Sequence, residues 1–230
     1  MRNTASKRRR QNIGYTVGAT VGLICLIVYL LPGQERLHVR GPMNIGHEGF
    51  KCTSCHMPAG GTIRQQLQAI VSYWFGRRAT PVDFGHKDVT NEVCLGCHER
   101  SNDRHPVYRF LEPRFAKARE TIQSQFCISC HLEHQGKRVT LQATTYCVNC
   151  HEETKVKKDP LNISHEQLIA QKHWDTCLGC HDFHGNHVMK TKRVVEDAWD
   201  PAQIRAYFDG RSSPYPKEIY HKAKKEENHG

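Results

Sequence analysis

Apolar residues are concentrated in one stretch of this chain and thinly scattered through the rest. Ile13 to Leu31, IGYTVGATVGLICLIVYLL, run for 19 residues without a charge. A span of that length crosses a bilayer core as a helix and exceeds the apolar part of a typical signal peptide. Pro32 and Gly33 end it, and no small-x-small cleavage pattern follows in Gln34, Glu35, Arg36 and Leu37. Arg2, Lys7, Arg8, Arg9 and Arg10 precede it, so the positive-inside bias holds the stub in the cytoplasm and exports everything after Leu31. The expectation is an uncleaved, single-pass signal anchor in the inner membrane, with a cleaved signal peptide as the competing reading. Cys25 lies inside the run after Ile24, which is not small, so it reads as a buried apolar thiol rather than a lipid-attachment site.

Beyond the anchor, helical periodicity returns briefly. Ile63, Leu67, Ile70, Val71, Trp74 and Phe75 fall on one face of a helix that Gly76-Arg77-Arg78 ends. That face packs on a cofactor or, given its aromatic end and the arginines, lies on a membrane surface. Pro113 opens a second helix over 114–122. Asp200 and Pro201 cap and open a third, Ala202 to Phe208, before Gly210, and Lys217–Gly230 reads as charged and mobile. C-x-x-C-H motifs recur every 20 to 42 residues from position 52, a density that leaves little room for sheet. The fold class expected is mostly α and irregular: one transmembrane helix plus a compact domain with little or no sheet. The divisions expected are 1–31 (stub and anchor), 32–46 (linker), 47–188 (cofactor domain) and 189–230 (helical, charged tail).

Hydrophobic residues make up only 38% of the chain and aromatics 8%, too few to build a thick core unaided. The unusual entries in the composition are 11 Cys and 16 His. Ten of the cysteines fall into five copies of one pattern: Cys52-Thr-Ser-Cys55-His56, Cys94-Leu-Gly-Cys97-His98, Cys127-Ile-Ser-Cys130-His131, Cys147-Val-Asn-Cys150-His151 and Cys177-Leu-Gly-Cys180-His181. C-x-x-C-H is the attachment signature of c-type haem: two thiols three positions apart reach the vinyl groups of one porphyrin, and the next residue turns its imidazole to the iron. Roughly 0.04 such motifs are expected by chance in this composition. Disulfides give no reason for a His after every pair, and zinc sites use a second Cys or His pair at characteristic distance. The reading is five covalently attached haem c, with His56, His98, His131, His151 and His181 as proximal ligands.

A low-spin haem takes a second axial ligand. Eleven histidines remain: His38, His47, His86, His105, His134, His165, His173, His184, His187, His221 and His229. His134 and His184 each stand three residues past a proximal His, too close to ligate their own motif's haem but able to reach a neighbour. His187 shares the second setting. The expectation is His134 and one of His184 or His187, with His105 and His173 in reserve. His38, His221 and His229 read as solvated, and Met57 as incidental.

Three more histidines share a local pattern: Asn44-Ile-Gly-His47, Asp83-Phe-Gly-His86 and Asn162-Ile-Ser-His165. This resembles the x-Phe/Ile-Gly/Ser-His element that precedes haem motifs in the cytochrome c3 and c7 family. There the upstream His supplies a distal ligand, often to a different haem, which implies that role for His47, His86 and His165. The resemblance covers about 140 residues; the long interval between the first two motifs and the fifth motif depart from the short tetrahaem proteins. It implies a periplasmic electron carrier rather than an enzyme, passing electrons between a membrane donor and a periplasmic acceptor. A more distant similarity to NapC/NirT-type membrane cytochromes implies the alternative of a quinol dehydrogenase module. A terminal enzyme with an open iron is less well matched, since the pentahaem nitrite reductases use a Lys in one motif and all five here end in His. The formal charge of +10 does not argue for nucleic acid, because no basic stripe interleaves with aromatics and haem propionates would add up to about ten negative charges.

Overall fold

The computed structural model describes residues 4–31, 37, 39, 41–141, 145–190 and 192–224. Pro32, Gly33, His38 and His229 lie outside the described residues. The chain divides into two units, Met1–Gly41 and Pro42–Gly230.

The first unit is built on one helix, α1 (Thr4–Leu30). Its 27 residues rise about 40 Å at 1.5 Å each, enough for a bilayer core. Within it Ser6–Tyr29 is long and apolar enough to cross a membrane, and none of that window is buried against protein. The segment is a membrane anchor or a signal sequence.

The second unit is helical and irregular. Among its described residues there is no sheet, only isolated bridges joining Pro58 to His86 and His187 to Ile219. Its α-helices are α2 (Ile63–Trp74), α3 (Asn91–His98), α4 (Ala116–Ile122), α5 (Val148–His151), α6 (His165–Ala170), α7 (Cys177–Cys180) and α8 (Pro201–Phe208). Short 3-10 turns cover Cys52–Ser54, Val107–Leu111, Pro113–Phe115, Cys127–Ser129, Trp174–Thr176 and Val195–Asp197. Three helix starts follow from local sequence. Thr62 with Gln65, Ser164 with Gln167, and Asp200 with Gln203 each form a reciprocal capping box, satisfying backbone N–H groups that have no partner inside the helix.

The apolar core is small and sits at one end. Leu178, Ile204, Phe208 and Tyr215 are buried together, with Val139, Tyr146, Phe183, Met189, Trp199 and Tyr207 packed around them. Two glycines make it possible. A Cβ on Gly179 would stand 2.6 Å from the Trp199 carbonyl oxygen, so only glycine lets the fifth motif lie against 198–199. Gly210 has φ +99°, and a side chain there would strike Ile45.

Two expected boundaries shift. The packed unit starts at Pro42, inside the expected linker: Gly136 N–H donates to the Pro42 carbonyl, and Ile45 N–H to that of Lys137. The tail past 189 supplies half of the core rather than hanging from it, and it stays attached beyond Lys217. Val188 N–H donates to Glu218, Tyr220 N–H to Asn186, and Lys224 N–H to Cys97. Spread over 189–230, charge masked the few apolar residues, Ile204, Phe208 and Tyr215, that do the packing.

Candidate haem-binding sites

Each C-x-x-C-H is wound as a single helical turn. The N–H of the motif histidine donates to the carbonyl of the first cysteine at 2.9 Å in His56, His131, His151 and His181, and His98 closes α3. This turn puts the two thiols and the imidazole on one side. No disulfide joins any of the eleven cysteines.

Every motif histidine faces another imidazole. Ring centres are 6.0 Å apart for His98 and His47, 6.2 Å for His131 and His184, 6.1 Å for His151 and His105, and 6.1 Å for His181 and His165. His56 faces two, His86 at 6.1 Å and His134 at 6.3 Å. A metal–imidazole bond is about 2.0–2.1 Å and the ring centre lies about 1.1 Å behind the nitrogen, so imidazoles on opposite sides of one ion sit about 6.2 Å apart. The five sites therefore leave room for an iron between two rings. Among the described residues no three His, Cys, Asp or Glu converge as a bare-ion site would need; the histidines come as facing rings.

The ring nitrogens are oriented for ligation. Nδ1 of His47 donates to Glu133 at 2.5 Å, that of His165 to Asp159 at 2.8 Å, and that of His184 to Asp103 at 3.1 Å. Nδ1 of His105 donates to the Phe183 carbonyl at 2.5 Å, and that of His131 to the Arg138 carbonyl at 2.7 Å. Carbonyls and carboxylates only accept, so Nδ1 carries the proton and Nε2 keeps its lone pair for a metal. Such hydrogen bonds fix ring orientation and raise ligand basicity. Burial holds His98, His131, His151, His181 and His105 below the usual histidine range, favouring the neutral form that binds metal. Burial pushes Glu133 and Asp103 up, but the hydrogen bonds they accept, first from His47 and His184 respectively, outweigh it and keep both below the ordinary carboxylate range.

The local sequence explains how the upstream histidines are held. Asn44 is buried; its side chain donates to the Leu132 carbonyl and accepts from the N–H groups of Gln135 and Lys137, which docks His47 beside Glu133. Asn162 repeats the device, donating to Glu196 and accepting from Val195 N–H to dock His165. His86 is placed by α2: buried Gln66 donates to the carbonyls of Ala59, Gly60 and Gly61 and accepts from Gly85 N–H.

Of the distal candidates, His47, His86, His134, His165 and His184 lie opposite motif histidines. His187 does not: it donates to Asp182 at 2.7 Å and stacks on Tyr215 at 5.0 Å. His105, held in reserve on sequence, lies opposite His151 and stacks on Phe183 at 4.1 Å. His173 is exposed, and so is Met57.

The motifs are also grouped. The thiols of Cys94 and Cys127 lie near enough to shift one another's titration, as do those of Cys147 and Cys177. Asn91, in the first turn of α3, donates to the Gln125 carbonyl and accepts from Cys127 N–H, fastening the second motif to the third.

Residues 78–152 match the family model described as Cytochrome c3, and residues 46–103 match that of the Doubled CXXCH motif. The chain is a cytochrome c3-like multihaem c-type cytochrome. The two matches take in the first four motifs; the fifth, at 177–181, lies outside both. No curated protein and no solved structure is matched by the chain. In this cytochrome the CXXCH thiols attach haem covalently, and c-type attachment places the haem-bearing part outside the cytoplasm. Cytochromes of this kind are electron carriers.

Proposed function

We propose that this chain is a membrane-anchored periplasmic pentahaem cytochrome that carries electrons between a membrane donor and a periplasmic acceptor through low-spin, bis-histidine haems. The observation that carries the reading is the set of imidazoles facing all five motif histidines at 6.0–6.3 Å. Cys52 and Cys55, Cys94 and Cys97, Cys127 and Cys130, Cys147 and Cys150, and Cys177 and Cys180 would hold the five porphyrins. The ligand pairs would be His98 with His47, His131 with His184, His151 with His105 and His181 with His165, while His56 would take His86 or His134. Bound haem supplies a reversible one-electron iron couple.

The chain's own residues set how that couple behaves. Two imidazoles per site leave no position for substrate, which favours a carrier over a terminal enzyme. Glu133, Asp159 and Asp103 fix three distal rings and favour the more positive, oxidised state of the ion they face. The Cys94–Cys127 and Cys147–Cys177 contacts bring attachment points of different motifs together, which supports short transfers within two pairs of sites. Mass spectrometry of the matured protein is expected to give five haems, and electron paramagnetic resonance only low-spin ferric signals. Four haems, or a high-spin signal in the untreated protein, overturns this reading.

The second reading, a NapC/NirT-type quinol dehydrogenase module, draws on α2, whose Ile63, Leu67, Val71 and Trp74 are exposed and followed by Arg77 and Arg78. Reduction of the haems by a quinol analogue supports it; no reduction in detergent and in liposomes alike removes it.

A further inference from the structure

Two buried polar atoms next to the second motif have no protein partner. Arg100, two residues past His98, has a side chain only 6% exposed. Its Nη2 donates to the His184 carbonyl and stands 4.0 Å from an Asp103 oxygen, but its Nη1 is buried with nothing to donate to. His221 has its Nε2 in the same condition. The tail carries His221 to this corner: Tyr220 N–H bonds the Asn186 carbonyl and Lys224 N–H bonds that of Cys97, so 220–224 runs over the second motif. Burial, and after it the Arg100 charge, disfavours protonation of His221, with Asp103 opposing them. Asp103 does not answer the need, since its oxygens accept from His184 Nδ1 and from the N–H of His105.

A buried guanidinium with an unmet N–H, in the corner to which the tail brings an imidazole with an unmet nitrogen, is best answered by an acceptor that bears negative charge. We propose that Arg100 and His221 form an anchor for a haem propionate between the second and third haem sites. The inference rests on the multihaem reading. Arg100 touches the backbone of His184, which faces His131, and follows His98, so a carboxylate of a porphyrin held at either site is the anion covalently kept within reach. The planar fork of Arg100 suits a carboxylate, and burial makes the pairing strong. His221 completes the cradle from a segment whose composition reads as a loose tail.

The test uses the full, haem-loaded chain with its propionate carboxyl carbons labelled with ¹³C, and redox-difference infrared spectroscopy. In the unmodified protein one labelled carboxylate band is expected to stand apart from the rest. Arg100→Gln and His221→Phe are each expected to return it to the common position, while Arg100→Lys keeps most of the displacement. Potentiometry is expected to show one haem becoming about tenfold harder to reduce in Arg100→Gln, or about 59 mV, because a cation near the iron is lost. Labelled bands that do not move in either variant overturn the proposal, as do changes confined to unlabelled carboxylates or bands displaced only by added inorganic anion. Haem content is measured on the same samples. Fewer than five haems in the unmodified protein, with haem still mapped to the second and third motifs, counts against the pentahaem reading alone, whereas absence of haem from both of those motifs overturns this proposal; His221→Phe stands alone if Arg100→Gln does not mature.

Discussion

Around the fifth motif the chain buries Leu178, Ile204, Phe208 and Tyr215 against one another. Around the first motif the arrangement is reversed. The inward residue of α2 is Gln66, bonded to the backbones on either side, while Ile63, Leu67, Val71 and Trp74 lie open. One end holds itself together by burying apolar surface; the other is stapled by polar bonds and leaves its apolar stripe exposed among the described residues. The contrast shows where a chain with so few apolar residues spends them.

The largest effect that would break this comparison is loss of all cofactor. Protein made without haem attachment is expected to be protease-sensitive throughout 42–177, with resistance, if any survives, confined to fragments around 178–215. Limited proteolysis with mass mapping reads this; uniform resistance would mean the polypeptide is self-sufficient. Next comes the doubly faced site. His86→Ala and His134→Ala singly are expected to keep His56's haem low-spin, and the double variant to convert one haem to high spin, read by electron paramagnetic resonance. Conversion by one single variant would identify that residue as the sole ligand.

Smaller effects belong to the core end. Ile204→Ala, at a fully buried position, is expected to cost about 2–5 kcal/mol, and Gly179→Ala about 1–3 kcal/mol through overpacking against Trp199. Denaturant unfolding followed by tyrosine and tryptophan fluorescence measures both. The smallest is on α2, where Leu67→Gln with Val71→Ser is expected to change stability by no more than about 0.5 kcal/mol per site. The same pair is expected to weaken binding to anionic liposomes if the stripe meets lipid. A loss of about 2 kcal/mol or more would place haem, not lipid, over it.

Much of this was readable from the residues in order. α2 over 63–74, the helix after Pro113 and α8 after Asp200 all follow from spacing and capping, and the motif turns from C-x-x-C-H itself. The local pattern that resembles the cytochrome c3 and c7 element marks His47, His86 and His165, and the structure adds that an Asn three residues earlier anchors the loops of the first and last. His105 had no such mark. Its facing ring, His151, is remote in sequence, and its hydrogen-bond acceptor is a backbone carbonyl that any residue could supply. A nearby acid is a weak cue: Asp103 lies close to His105, yet Asp182 lies similarly close to His187, which faces Tyr215 instead. The attachment of 217–224 is not legible in a composition dominated by charge, because it runs through backbone bonds that composition does not encode.

The pairing of His131 with His184 has a consequence for how the molecule is made. A chain exported from its N-terminus presents His47 before His98, His105 before His151 and His165 before His181, so on the proposed pairing those three irons find both ligands as soon as their own motif emerges. The third must wait until residue 184 has followed, after every attachment motif has already passed. On that pairing its coordination would be the clasp fastened last, and a chain exported as far as the fifth motif would hold the third site by His131 alone.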